Sequence, residues 1–264
     1  MSTWRAGAWR VLGERELFVP ARAALEESAR AARSERGPRG LGAFTAYFKG
    51  SPLALRPALR HALRRAAGLE IPRLQEYANL AWLRARGFLA ARPLLAGVRA
   101  AALLPRYQFL FTELRPAEPT LGQWFMEAAP EERVARLAAL ARDVARLHRL
   151  GFVHRDLFAR NLLVPADRSD PRCVFLDAWR AGPGRGLRGP DHDLGCLFLD
   201  GAGLFSREEQ CSFLRTYREE SARLGRPLAR SWPERVEGAR SAVLRREARR
   251  RPELAPSWRF PHLG

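Results

Sequence analysis

Apolar residues recur at helical spacing in two stretches of the chain, because positions three and four residues apart share one face of an α-helix. The longer stretch predicts a helix from Pro130 to Gly151, with the apolar stripe Val134, Leu137, Leu140, Val144 and Leu147. The shorter stretch predicts a helix from Pro72 to Gly87, with one face formed by Glu76, Leu80, Leu83 and Gly87. Glu76 is thus in line with a buried stripe and needs a cationic partner, because an unpaired buried charge is costly.

Short apolar runs bounded by turn residues predict β-strands in the first half of the chain. Residues 9–20 are expected to form a hairpin, and residues 21–36 a helix or a mobile arm. Residues 43–48 predict a strand that leads to Lys49, and residues 107–114 predict a strand that enters a proline-containing hinge. A turn between strands, rather than a convincing glycine-rich nucleotide loop, is predicted for Gly37, Gly40 and Gly42.

The second half of the chain is predicted to be mostly helical, with one short hairpin. Residues 162–164 and 174–176 are apolar and flank a polar turn, so they bring Asn161 and Asp177 together. Helices are expected to begin near Asp191, Ser206 and Ser231. A capping box formed by Ser206 and Glu209 marks the second of these helices.

Composition adds a large positive charge to this picture. The chain has 264 residues, 47% of them hydrophobic, which is enough for one two-lobed domain or two small ones. Its formal net charge of +18 favours anionic partners such as nucleotides, nucleic acid, phosphorylated glycolipids or an acidic membrane face. However, all but one of the 46 basic Lys and Arg residues are arginine. The charge therefore also reflects a general preference for arginine and is weak evidence for any one partner.

The apolar runs are shorter than a membrane span requires, and the first residues lack the layout of a secretory signal. A cytosolic protein is therefore expected. The cysteines show no metal-ligand spacing and are expected to be reduced, small apolar residues; they are Cys173, Cys196 and Cys211.

Lys49 is the only lysine in the chain, which makes its position informative. An ammonium group binds phosphate as a point charge, whereas the guanidinium of arginine is a bulkier planar fork. In kinase-like enzymes a strand lysine holds the nucleotide phosphates and pairs with a helix glutamate. The sequence thus offers two partners for Glu76, namely Lys49 or a neighbouring arginine at the surface.

The segment from His154 to Asn161 has the pattern H-R-D-L-x-x-x-N, the catalytic-loop pattern of protein-kinase-like phosphotransferases. Asp156 would accept the proton of a substrate hydroxyl, while Asn161 would hold a metal ion on the phosphates. Asp177 follows an apolar strand and would complete the metal site, because Mg²⁺ prefers one or two carboxylates together with phosphate oxygens. A surface loop that carries charges by accident would not explain this ordered set of residues.

Taken together, these motifs resemble the bacterial lipopolysaccharide kinases of the Kdo/WaaP type and their InaA-like relatives. The resemblance is carried by Phe48-Lys49, Glu76, Thr112-Glu113-Leu114, the segment from Gly151 to Asp156, Asn161, the segment from Asp177 to Arg180, and the segment from Arg188 to Leu197. It extends approximately over residues 43–200.

The resemblance implies an α+β, two-lobed protein-kinase-like fold. Residues 1–114 would form a small N-lobe with an antiparallel sheet plus helix, and residues 115–264 a larger, mostly helical C-lobe of the same domain. The implied activity is phosphorylation of a sugar hydroxyl of the lipopolysaccharide core, or of a similar anionic glycolipid, with ATP and Mg²⁺. A cytoplasmic monomer is expected, in peripheral contact with the cytoplasmic face of the inner membrane and without a nucleic-acid partner.

The same resemblance assigns roles to individual residues. The implied catalytic residues are Asp156, Arg155 and Asn161. The implied ATP-binding residues are Lys49, Glu76, Glu113 and Leu114. The implied metal ligands are Asn161 and Asp177. The implied supports of the catalytic loop are His154 and Asp193.

The segment after Asp177 bears on the acceptor. It contains no Ser, Thr or Tyr before Ser206, so a phosphorylation switch has no residue to modify. It does carry three arginines that would either clamp an anionic acceptor or form a solvated basic loop, namely Arg180, Arg185 and Arg188.

Two alternative functions stay open at this stage. The first is a kinase for another small molecule, such as an antibiotic or a metabolite. The second is a non-catalytic pseudokinase that acts as a binding scaffold, because the glycine-rich loop is absent. Ala178-Trp179 also follows Asp177 where protein kinases have Phe-Gly, so switching through that phenylalanine is not expected.

Overall fold

The computed structural model describes residues 3–66, 70–101, 104–183, 189–201 and 203–250. The chain divides into two compact units, Met1–Pro116 and Ala117–Gly264, and each is described by itself. Among the helices of the described ranges, none combines the length and the apolar character needed to cross a bilayer.

The described part of the first unit is built on one antiparallel sheet. Its strands are β1 (Thr3–Ala6), β2 (Trp9–Gly13), β3 (Glu35–Leu41), β4 (Phe44–Pro52), β5 (Pro93–Ala101) and β6 (Leu104–Glu113). The strand order is β1-β2-β5-β6-β4-β3, so β3 lies at one edge. Pro38 is tolerated within β3 because an edge strand has one side without ladder hydrogen bonds.

Helices cover both faces of this sheet. They are α1 (Arg15–Arg30), α2 (Leu55–Ala66) and α3 (Pro72–Ala85). On one face, Phe18 of α1 packs against Phe48 and Phe109 of the sheet. On the other face, Leu74 of α3 packs against Leu110. Because successive side chains of a strand alternate in direction, Lys49, the residue after Phe48, lies on the α3 face.

The structure corrects the hairpin predicted for residues 9–20. The hairpin is formed by β1 and β2, with Gly7 at a positive φ of 59° in the turn. Residues 17–20 instead belong to α1. This apolar run was mistaken for a strand because its buried side chains belong to a longer helical repeat, which consists of Phe18, Ala21, Leu25 and Ser28.

The turn predicted for Gly37, Gly40 and Gly42 spans fewer residues than expected. Gly37 and Gly40 lie within β3, and only Gly42 lies in the turn to β4, at a positive φ of 64°. Residues 35 and 36 likewise belong to β3 rather than to a helix or an arm. A strand containing two glycines and a proline has low intrinsic propensity, so its pairing with β4 is not visible in the sequence.

The second unit is mostly helical within its described residues. Its helices are α4 (Leu121–Phe125), α5 (Pro130–Arg149), α6 (Pro190–Gly201), α7 (Arg207–Arg223) and α8 (Trp232–Arg250). Its short strands are β7 (Phe152–Val153), β8 (Leu162–Leu163), β9 (Val174–Phe175) and β10 (Gly182–Pro183). The predicted hairpin is confirmed as the antiparallel pair β8–β9, and β7 pairs with β10. The capping box of Ser206 and Glu209 is confirmed at the start of α7.

Helices α6 and α8 approach each other closely at Gly195. A Cβ atom at this position would lie 2.8 Å from the backbone nitrogen of Arg240 and 3.0 Å from the carbonyl carbon of Ala239. Backbone atoms cannot give way as a flexible side chain can, so only glycine allows this separation. The contact fixes the position of α6 and therefore of Asp193, which lies two residues before Gly195.

We predict that Gly195→Ala lowers the free energy of unfolding by about 1–3 kcal/mol, because the added methyl group overpacks the interface between α6 and α8. Urea denaturation of the full chain measures this change. Gly238→Ala is the matched control, since Gly238 is helical and exposed, with no neighbouring atom within 4 Å of an added Cβ. The control should gain about 0.4–1 kcal/mol of stability. Wild-type stability of Gly195→Ala would contradict the close packing.

Candidate active site

The backbone of the catalytic loop is held by the buried carboxylate of Asp193. The N–H of His154 donates to Oδ2 at 2.6 Å, and the N–H of Arg155 donates to Oδ1 at 2.6 Å. Arg155 has a positive φ of 62°, a conformation that residues other than glycine adopt rarely. Both amides can therefore point at one carboxylate, which fixes the position of the next residue, Asp156.

A buried histidine completes the support around Asp193. His148 lies near the end of α5, and its Nε2 is 3.1 Å from Oδ2 of Asp193. Its Nδ1 is 2.8 Å from the hydroxyl of Tyr217. Burial alone would raise the pKa of Asp193, but the hydrogen bonds from His148 and from the backbone of His154 hold this pKa below its ordinary value of 3.8. The sequence predicts only a packing or capping role for His148, because a lone histidine in a last helical turn belongs to no motif.

The β8–β9 hairpin positions the two residues that could hold a metal ion. The backbone oxygen of Asn161 accepts a hydrogen bond from the N–H of Leu176 at 2.9 Å, and Asp177 follows Leu176. The side-chain nitrogen of Asn161 donates to the carbonyl oxygen of Asp156 at 2.8 Å. The amide oxygen of Asn161 is thus the atom left to bind a cation.

The side chains of Asn161 and Asp177 suit Mg²⁺ better than a metal ion that takes all of its ligands from protein side chains. Within the described ranges, no group of three or more His, Cys, Asp or Glu side chains could hold a metal ion. One carboxylate from Asp177 and one amide oxygen from Asn161 suit Mg²⁺, which takes its remaining ligands from water and substrate phosphates. The pair is therefore suited to a metal ion that is bound together with a nucleotide.

Asp156 lies half-buried among charged groups. Burial raises the pKa of Asp156, and the negative charge of Asp177 acts in the same direction. The neighbouring side chains of Arg180 and His154 lower the pKa of Asp156 without cancelling this rise. A carboxylate with a raised pKa is a better proton acceptor than a fully solvated one, which suits a residue that receives the proton of a hydroxyl group.

Two further contacts tie the catalytic loop to the segment around Asp177. The Nε2 of His154 lies 2.9 Å from the carbonyl oxygen of Leu176, and the Nη1 of Arg155 donates to the carbonyl oxygen of Arg180 at 2.8 Å. Arg155 thus supports the segment after Asp177 through its side chain. The other two arginines proposed for acceptor binding, Arg185 and Arg188, lie outside the described residues.

In the first unit, the structure brings Lys49 and Glu76 together. Nζ of Lys49 lies 2.6 Å from Oε1 of Glu76, whose side chain is fully buried. The second oxygen of Glu76 lies 2.6 Å from Nη1 of Arg73, which is also buried. The sequence left two alternatives for the partner of Glu76, namely Lys49 or a surface arginine. In the structure, both Lys49 and the buried Arg73 pair with Glu76.

A further cation, Arg36, lies beside this group. Arg36 is the register partner of Lys49 in the β3–β4 ladder, so the two side chains share one face of the sheet at about 5 Å between Cβ atoms. Arg36 is exposed. Arg36 therefore adds a third basic side chain beside Lys49 and Arg73. Sequence reasoning missed Arg36, because one arginine among 45 gains meaning only from the strand register.

Glu113 and Leu114 line a cleft of 290 Å³ together with Leu17, Leu94 and three other residues. Leu17 and Leu94 pack in the core on the α1 side of the sheet, whereas Lys49 lies on the α3 side. The N–H of Glu113 donates to the carbonyl oxygen of Arg92, so this amide is used within the sheet. This cleft is therefore not on the face that carries Lys49. Glu113 and Leu114 were predicted to contact the adenine of ATP through their backbone groups, and with the amide of Glu113 used in the sheet, Leu114 is the candidate for this contact.

Fold and catalytic loop together define a protein-kinase-like phosphotransferase, and comparisons with known proteins name its family. The model of the lipopolysaccharide kinase (Kdo/WaaP) family matches residues 23–217. The chain therefore belongs to this family and is an ATP-dependent kinase. Among curated proteins, no sequence matches the chain significantly.

Two solved structures share the fold. The first is WaaP in complex with acyl carrier protein, which is 21% identical with a TM-score of 0.56, over 91% of this chain and 98% of that one. The second is a candidate aminoglycoside phosphotransferase of Ralstonia eutropha, which is 15% identical with a TM-score of 0.52, over 89% of this chain and 91% of that one. Both confirm the α+β kinase-like fold.

We predict that Asp193→Asn lowers the free energy of unfolding by about 1–3 kcal/mol at neutral pH, because an amide nitrogen would face a buried backbone N–H. The folded pKa of Asp193 lies below 3.8, so its stabilisation is present above pH 3.8 and is lost as the pH falls below that value. The difference between wild type and variant should therefore shrink in acid. Urea denaturation as a function of pH measures it.

The matched control for this prediction is Asp143→Asn. Asp143 is also buried, but burial raises its pKa, so its charged form opposes folding at neutral pH. This control should lose no stability at neutral pH. A loss for Asp143→Asn equal to that of Asp193→Asn would mean that the hydrogen bonds to the catalytic loop have no special effect.

Proposed function

We propose that this protein transfers the γ-phosphoryl group of ATP to a sugar hydroxyl of the lipopolysaccharide core or of a similar anionic glycolipid. The observation that supports it best is the catalytic loop, in which Asn161 and Asp156 are joined by a hydrogen bond on a backbone fixed by Asp193. Membership of the lipopolysaccharide kinase family gives the acceptor class. The protein would act in the cytoplasm as a monomer, at the cytoplasmic face of the inner membrane.

Asp156 carries the proton transfer in this proposal. The hydroxyl oxygen forms a bond to the γ-phosphorus, and the bond to the bridging oxygen of ADP breaks in line with it. The hydroxyl proton passes to the carboxylate of Asp156. The raised pKa of Asp156 helps it to accept this proton, and the fixed loop backbone orients the carboxylate.

Asn161 and Asp177 would hold Mg²⁺ on the nucleotide. When bound, Mg²⁺ supplies positive charge that neutralises the phosphate oxygens during transfer. The amide oxygen of Asn161 and the carboxylate of Asp177 are the two protein ligands. His154 and Arg155 keep these residues in place through their contacts with Leu176 and Arg180.

Lys49 and Arg36 would bind the nucleotide phosphates. Glu76 orients Lys49 and also pairs with Arg73. Gly37 and Gly40 are part of β3 and do not form a loop that could cover phosphates with backbone amides. A side chain of β3 therefore takes over this contact, and Arg36 is the cationic residue beside Lys49.

The acceptor would be anionic. Arg180 acts electrostatically on Asp156, so a phosphate or carboxylate near the reacting hydroxyl would be attracted to it; Arg185 and Arg188 are proposed for the same role. Similarity to the candidate aminoglycoside phosphotransferase concerns the fold alone and does not favour an antibiotic as acceptor. No observation favours a non-catalytic scaffold.

We predict that Asp156→Asn lowers kcat/KM for transfer to lipopolysaccharide core by at least about 100-fold, the usual range for loss of a positioned base. Nucleotide binding should stay unchanged, because the carboxylate acts on the acceptor. In the wild type, kcat/KM should rise with pH until Asp156 ionises, at a pKa above its ordinary value, and the variant should lack this rise. Labelled ATP measures transfer. Near-wild-type turnover by Asp156→Asn would refute the assignment.

We predict that Arg36→Gln weakens ATP binding by about tenfold or more, since a hydrogen bond to a charged group contributes about 1.5–3 kcal/mol. Binding of AMP, which lacks the outer phosphates, should not change. Calorimetric titration with both nucleotides separates these effects. Arg5→Gln is the matched control, because Arg5 is an exposed strand arginine at the opposite edge of the same sheet. If Arg36→Gln weakens ATP and AMP binding equally, or if Arg5→Gln weakens ATP binding as much as Arg36→Gln, Arg36 does not bind the phosphates.

A further inference from the structure

Helix α2 exposes a row of leucines. Leu55, Leu59 and Leu63 recur every four residues, so they lie along one face of the helix. Their exposed fractions are 55%, 46% and 73%. They are three of the seven exposed large hydrophobic residues found in the described part of the chain. A contiguous apolar row of this kind is typical of a surface that binds another molecule or a membrane.

The way α2 is attached explains why the leucines face outwards. The helix contacts the sheet through Ala58, which is fully buried, and the chain before it is anchored by Leu53. A small residue therefore makes the contact with the core, and the larger apolar side chains are left outside. This is the reverse of an ordinary amphipathic helix, which buries its large apolar residues.

A basic row runs beside the leucines. Arg56 and Arg60 follow Leu55 and Leu59 directly, and both are exposed. The sequence of α2 contains four arginines and no carboxylate. The surface thus combines an apolar ridge with basic side chains on a helix that contains no carboxylate.

We propose that α2 docks the protein on an anionic lipid bilayer. The leucines would enter the boundary between headgroups and acyl chains, and the arginines would bind lipid phosphates, as in other interfacial amphipathic helices. Charge complementarity favours this partner, because α2 has no acidic residue to repel lipid phosphates. Nucleic acid would match the arginines but not the exposed leucines.

This docking surface goes beyond phosphotransfer, since none of its residues belongs to the candidate active site. Its benefit to catalysis rests on the proposed function. A glycolipid acceptor is confined to a membrane, so a protein docked on the same surface would meet it at a higher effective concentration. Docking itself is measurable without any acceptor or nucleotide.

Co-sedimentation of the full chain with lipid vesicles tests the proposal. The wild type should bind vesicles of phosphatidylcholine containing phosphatidylglycerol and should bind pure phosphatidylcholine much less. Leu59→Ser with Leu63→Ser should weaken binding by about tenfold or more. Arg56→Gln with Arg60→Gln should cause a similar loss, which should disappear at high salt because the arginines act by charge.

Matched controls come from exposed residues of the second unit. Leu150→Ser removes an exposed leucine, and Arg215→Gln with Arg218→Gln removes two exposed arginines of α7; both should bind vesicles like the wild type. The α2 variants should keep wild-type phosphotransfer to a delipidated core oligosaccharide, which shows that they are folded. If the protein binds vesicles through α2 but transfers no phosphate, the proposed function is wrong and the docking proposal still holds.

Three results would overturn the docking proposal. The first is failure of the wild type to bind anionic vesicles. The second is equal binding by the α2 variants and their controls. The third is capture of an acidic protein through α2 without any binding to vesicles, which would assign this surface to a protein partner.

Discussion

One buried carboxylate sets the geometry of the candidate active site. Asp193 accepts hydrogen bonds from two consecutive backbone amides of the catalytic loop, and His148 satisfies one of its oxygens as well. These bonds offset the cost of burying the charge. Because Asp193 belongs to α6, the position of Asp156 depends on helix packing. The close approach of α6 to α8 at Gly195 is therefore part of the same support.

A second shared carboxylate organises the first unit. Glu76 divides its two oxygens between Lys49 and Arg73, and so it orients the lysine. Arg36 lies opposite Lys49 on the neighbouring strand. Lys49 and Arg36 are the side chains that we propose for binding nucleotide phosphates in place of a glycine-rich loop.

Short-range motifs were predictable from the sequence, and contacts that depend on register or packing were not. The motif of Asp156 and Asn161 is local, and the β8–β9 hairpin follows from two apolar runs around a polar turn. The Lys49 to Glu76 pair was predictable because the chain has one lysine and a carboxylate in a buried stripe. Arg36 and Arg73 were hidden among many arginines. Helix α1 was misjudged because its apolar run from residue 17 is too short to distinguish a helix from a strand.

The most direct test of the account is analysis of the product formed by the purified protein. Lipopolysaccharide core should be incubated with ATP and Mg²⁺, and the product examined by mass spectrometry and phosphorus NMR. The account predicts a gain of one phosphate per acceptor, present as a monoester on a sugar hydroxyl, with ADP released in equal amount. ADP release without phosphorylated sugar, or phosphate on a protein instead, would contradict it.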